Sequence, residues 1–217
     1  MAENAMRETG VKHLIYLNSI FMAALITANF TAGVKLVDLW GFIVPAGFVS
    51  YAITFTITDI IDEVYGKREG YWTVRAGFVA SVVMLALVWL ARIMPPLVPA
   101  MQETYVRAFD VTARIVFASM VAYLISQHHD VWAFHWWKIK TKGKWLWLRN
   151  NLSTATSQLI DTVLFITIAF YGVVTADILL RMILSQWIWK VVIALADTPF
   201  VYLGVHLISG KVKILRT

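Results

Sequence analysis

The chain has no cysteine, so neither a disulfide nor a thiolate metal site can form within it. Charge is scarce as well, with 15% Asp, Glu, Lys and Arg against the roughly 25% of a soluble domain. The usual machinery of soluble enzymes is also missing. No GxxxxGKS/T phosphate loop occurs, which excludes ATP hydrolysis by that route. There is no GxSxG elbow, which argues against an intramembrane serine hydrolase, and no HExxH zinc motif.

What is present is apolar. Hydrophobic residues make up 59% of the 217 positions, and the mean hydropathy is +0.69. The few charges sit between long apolar runs, the pattern of an all-α, polytopic membrane protein. Six segments near the ~20 residues of a membrane helix stand out, at 14–34, 41–62, 72–94, 111–130, 152–174 and 186–208. Together they predict a single integral membrane domain over 1–217, a bundle of six transmembrane helices with short interfacial segments. Residues 101–110, after Pro95, Pro96 and Pro99, read as one such segment, and 177–185 as another. The apolar run behind the polar start MAENAMRETGVKH ends without a small-residue cleavage site, so the first span is expected to be retained.

Basic residues orient this bundle. Arg7, Lys12, Lys67, Arg68, Lys138, Lys140, Lys142, Lys144, Arg149, Lys211, Lys213 and Arg216 fall on one side of a six-span chain. Lys35, Arg107 and Arg181 fall on the other. The positive-inside rule then predicts two cytoplasmic termini. Trp132, Trp136, Trp137, Trp145 and Trp147 flank the large basic loop, where amphipathic rings settle among lipid headgroups. The net charge of +6 is thereby assigned to topology and anionic lipid, not to nucleic acid.

Against this apolar background, polar residues inside the spans carry the functional signal. Asp161 sits in the middle of the fifth span, where a charge is disfavoured by roughly 2.5–3.5 kcal/mol on insertion scales. Thr154, Gln158, Asp161 and Phe165 follow helical spacing and form one stripe. The sixth span supplies Lys190 and Asp197, two turns and roughly 10 Å of rise apart, so they do not readily pair with each other. Lys190 is the natural counter-charge for Asp161, and Pro199 can free backbone carbonyls near Asp197. Asn29, Asp59 and Arg114 complete the set. Each also has a plainer reading, as interhelical glue, a solvated helix end and a snorkelling cation respectively. Asp59 and Asp161 hold matching places in two three-helix halves, a similarity too weak to establish a repeat. His128, His129 and His135 raise a metal-site reading, weakened by their place where a helix is ending.

Three stretches resemble a known family. They are YAITFTITDIIDEVYGKREG (51–70), the region 114–170 containing NNLSTATSQLIDTVLFITIAF, and KVVIALADTPFVY (190–202). The combination of TDI-x-x-EVYGK, SQ-x-x-DT and K-x6-DTP is similar to that of the queuosine precursor transporter family, also called the vitamin uptake transporter family. The resemblance implies a six-span inner-membrane importer of 7-deazaguanine bases such as 7-cyano-7-deazaguanine, salvaged for a modified tRNA nucleoside. It implies no enzymatic activity and no cofactor, and it carries over Asn29, Asp59, Arg114, Gln158, Asp161, Lys190 and Asp197 as substrate-binding positions. In that setting Asp161 would accept N–H groups from the base, with Phe165, Trp187 or Tyr202 stacking on its ring. Membrane lipid is the other expected partner; a homo-oligomer and a coupling proton or sodium ion stay open. The alternatives are a substrate-binding subunit of an energy-coupling-factor importer and a membrane metalloenzyme built on the histidines.

Overall fold

A computed structural model describes residues 2–141, 146–196 and 198–212. Helix α1 (Ala2–Val34) leads into a hairpin of β1 (Leu36–Leu39) and β2 (Phe42–Pro45). Helices α2 (Phe48–Tyr65), α3 (Lys67–Ile93), α4 (Pro99–Lys140), α5 (Leu146–Phe170), α6 (Ala176–Ala196) and α7 (Thr198–Val212) follow. The chain is mostly helical, as its hydropathy pattern predicts. Three helical stretches among the described residues are long and apolar enough to cross a membrane: Gly10–Val34, Arg68–Ile93 and Pro99–Ser126. Ala155–Phe170 is a shorter apolar helix.

Two apolar clusters hold the helices together. Leu17, Phe21 and Leu25 recur every four residues along α1 and meet Ile57, Ile60, Ile61 and Val64 of α2. Gly77 of α3 lets that helix close on the same stripe, since a Cβ there would fall 2.6 Å from the Phe21 ring. The second cluster joins Ala32 of α1, Ile115 and Ala118 of α4, Ile166, Ala169 and Phe170 of α5, and Met182 and Ile183 of α6. Small residues at these crossings allow close helix approach, the main attractive device where lipid removes the hydrophobic drive. Polar ties supplement the packing: Asn29 Nδ2 donates to Ser81 Oγ at 3.2 Å, and Tyr65 Oη to the Gly10 carbonyl at 3.0 Å.

In three places the elements depart from the expected spans. The expected second span, 41–62, begins in a β-hairpin, and its helix starts only at Phe48. Trp40 and Gly41, with φ of 53° and 89°, form a two-residue turn of the type that matches strand twist, and Asp38 Oδ1 accepts the Gly41 N–H at 2.6 Å. Hydropathy counts this apolar hairpin as helix because period and turn chemistry do not enter the sum. Residues 101–110 are not a separate interfacial segment but the start of α4, which runs unbroken for 42 residues. No proline or glycine follows Pro99 before Gly143, so a dip in hydropathy has no backbone consequence. Residues 177–185 likewise belong to α6, and the expected sixth span, 186–208, is divided between α6 and α7. Pro199 lies in the first turn of α7, where its missing N–H goes unmissed, and it could not continue α6.

Candidate functional site

A cavity lies among α1, the hairpin's end, α2, α4, α5 and α6 and opens partly to the surroundings. Phe48 and Tyr51 of α2 and Phe165 of α5 give it aromatic walls; Asn29, Ser119, Asp161 and Gln186 supply its polar groups. Ala28, Ala32 and Ala122 contribute small surfaces that leave the space open, and Pro45 and Gly47 close it toward the hairpin. Gly47 is required there by crowding: a Cβ would overlap the Ala28 carbonyl oxygen of α1.

Charge enters the cavity wall through Asp161, whose partner Lys190 is not among the lining residues. Lys190 Nζ lies 2.5 Å from Asp161 Oδ2, and the two side chains are 8% and 10% exposed. The fifth and sixth spans thus supply each other's counter-charge, as the sequence predicts. Such a pair, removed from water, persists only when its geometry is good and its remaining valences are satisfied. Ser126 Oγ of α4 stands 3.4 Å from Asp161 Oδ1. The ammonium also lies 5.7 Å from the centre of the Tyr51 ring, a cation–π distance.

The other sequence-derived positions are spread more widely. Asn29 lines the cavity and is 5% exposed. Gln158 lies one turn before Asp161, partly buried, with a buried amide oxygen that has no partner among the described residues. Asp59 is exposed on α2 and is not among the residues that line the cavity. Arg114 donates from Nε to the Ile168 carbonyl and from Nη2 to the Tyr171 carbonyl, both at 2.6 Å, and so ties α4 to the end of α5. Asp197 lies outside the described residues. Of the aromatic residues considered as stacking partners, Phe165 lines the cavity. Trp187 instead donates to the Ala155 carbonyl at 3.4 Å, and Tyr202 is 74% exposed.

The histidines are not gathered into a metal site among the described residues, where no group of three or more metal-ligating side chains comes together. His128 Nδ1 lies 2.7 Å from the Leu124 carbonyl. His129 Nδ1 shares a hydrogen bond of 3.0 Å with Ser157 Oγ of α5. The side chain of His135 is outside the description.

Sequence reasoning did not single out Phe48, Tyr51, Ser119 or Gln186. The aromatics are two among many, and an uncharged glutamine raises no alarm by its solvation energy. One signal was available for Gln186: it precedes Lys190 by one helical turn and therefore shares its face.

Helices long and apolar enough to span a membrane, around a largely apolar cavity with a few polar groups in its wall, mark the chain as a multi-pass membrane protein. Residues 45–204 match the model of a family described as "Putative vitamin uptake transporter". That range holds the cavity wall from Pro45 to Gln186, while Ala28, Asn29 and Ala32 precede it. Over 179 residues, 82% of this chain and 78% of the relative, it is 31% identical to a "Probable queuosine precursor transporter" of Bacillus subtilis (strain 168). No solved structure matches. The chain belongs to this vitamin uptake, or queuosine precursor, transporter family.

Proposed function

We propose that the chain imports a queuosine precursor, a 7-deazaguanine base such as 7-cyano-7-deazaguanine, across the inner membrane for tRNA modification salvage. The observation that carries this reading is the cavity itself. Aromatic faces from Phe48, Tyr51 and Phe165 suit a flat ring, and amide and carboxylate groups beside them suit the donors and acceptors on its edge. Similarity to a relative named for this substrate class supports the choice of base. Asn29, Gln158, Asp161 and Lys190 are the positions closest to that task in this reading. Arg114 acts at one remove by fixing the end of α5, and Asp59 and Asp197 rest on the family resemblance alone.

Six crossings belong to the same reading, made by α1, α2, α3, α4, α5 and the α6–α7 pair as a broken last helix, with both termini cytoplasmic. The whole chain is then one transporter domain. Neither catalysis nor a cofactor is needed for this task.

The test is uptake by the purified chain alone in liposomes. Accumulation of 7-cyano-7-deazaguanine in preference to guanine is expected. Capture without turnover would instead mark a binding subunit that requires a separate ATPase. Imposed proton and sodium gradients in the same vesicles identify a coupling ion by the gradient that accelerates uptake.

A further inference from the structure

Asp161 is the conspicuous acceptor in the cavity, but each of its oxygens already has a neighbour. One carboxylate oxygen holds Lys190 at 2.5 Å and the other faces Ser126 Oγ at 3.4 Å. A ligand donor approaching Asp161 has to share it with a charge-assisted partner, the strong kind of hydrogen bond. Gln186 is placed differently. Its side chain lines the same cavity, the residue is 7% exposed, and its amide oxygen is buried with no hydrogen-bond partner among the described residues. Buried polar atoms in native proteins are nearly always paired, so an orphan in a cavity wall points to a partner that arrives with the ligand.

We infer that Gln186 is a specificity-determining residue, whose Oε1 accepts an N–H of the ligand's exocyclic amino group. The assignment rests on the deazaguanine reading of the cavity and adds to it which feature of the base is read. A glutamine amide suits the task because its oxygen accepts without carrying charge, so it does not compete with Asp161 for Lys190 one turn away on the same helix face. The selection follows from what each ligand leaves behind. A base with an amino group pairs the orphan oxygen, whereas the desamino analogue keeps it buried and unpaired. The site therefore favours the aminated ring even if every other contact is equal.

The experiment measures binding of 7-cyano-7-deazaguanine and of its 2-desamino counterpart to the detergent-purified full chain, as wild type and as Gln186→Met. Methionine keeps the length and unbranched shape but removes the acceptor. Wild type should favour the aminated base, and Gln186→Met should weaken binding of that base by about 10- to 100-fold while leaving the desamino base within about threefold. A parallel loss for both ligands would mean a merely structural role and overturn the assignment. So would an undiminished preference in the variant. Equal binding of the two bases by wild type overturns it without recourse to any variant, whether or not Gln186→Met folds. Failure of wild type to bind either base removes the substrate reading, and this assignment with it.

Discussion

The Asp161–Lys190 pair decides how single substitutions in the cavity will behave. Removing one member leaves the other charge buried without its partner, a change that typically lowers stability by about 3–5 kcal/mol. Asp161→Asn is therefore expected to abolish uptake and also to lower thermal stability. Asp161→Leu combined with Lys190→Met should recover most of that stability without recovering uptake, as thermal unfolding in detergent and liposome uptake would record. Full stability in Asp161→Asn would contradict the tight pairing seen between the two side chains. Arg114 predicts the opposite separation. Arg114→Met removes two charge-assisted bonds to the Ile168 and Tyr171 carbonyls, and should lower stability by about 1–2 kcal/mol given its partial exposure. Ligand affinity of the folded fraction should stay unchanged. Residues of this kind differ in how visible they are in a sequence. Asp161 and Lys190 stand out because a charge in an apolar run is energetically conspicuous, and both come together. Gln186 and Tyr51 carry no such mark, because glutamine and tyrosine are tolerated in many places. Only the helix arrangement brings them to one wall.

Among the elements, the hairpin and the start of α2 do most to shape the cavity. Ile43 N donates to Ser185 Oγ of α6 at 3.1 Å, and the Phe42 ring meets Trp189 edge-on at 6.3 Å. A two-stranded hairpin leaves edge groups that neighbouring protein has to satisfy, and Ser185 does so for Ile43. Ser185→Ala should accordingly loosen the hairpin by about 1 kcal/mol, read as faster amide exchange across 36–45 with little change elsewhere. Gly47→Ala is expected to do more, since the added methyl meets backbone of α1 that no rotamer change can move aside. It should separate α1 from α2, lower stability by about 1–3 kcal/mol and reduce ligand binding. Helix content and the approximate place of most apolar segments were legible in the sequence. The hairpin was not, because a window of hydropathy averages over Trp40-Gly41. The division of α6 from α7 was half-legible: Pro199 announced a break, but hydropathy carried the span through it.

At the scale of the molecule, hydropathy and charge identify a multi-pass membrane protein, and the positive-inside pattern proposes its orientation. That orientation has a direct test, because the natural sequence contains no cysteine. Single cysteines can be introduced without first removing any. Trp40→Cys at the hairpin tip should react with an impermeant maleimide in intact cells, and Lys213→Cys should react only after the membrane is opened. The reverse pattern would turn the molecule over.

The length of α4 has a consequence of its own. At 1.5 Å per residue its 42 residues measure about 63 Å, whereas a bilayer with its headgroups is about 40–45 Å thick. Even a tilt of about 40° leaves the helix longer than the membrane is deep. The excess carries the end of α4 that bears His128, His129, Trp132 and Trp136, about 20 Å of helix beyond Ser126, toward the headgroups where indole rings settle. With α5 packed alongside, that end is a rigid handle at the membrane surface, open to an antibody or to tracking by single-particle imaging of a chain otherwise hidden in detergent.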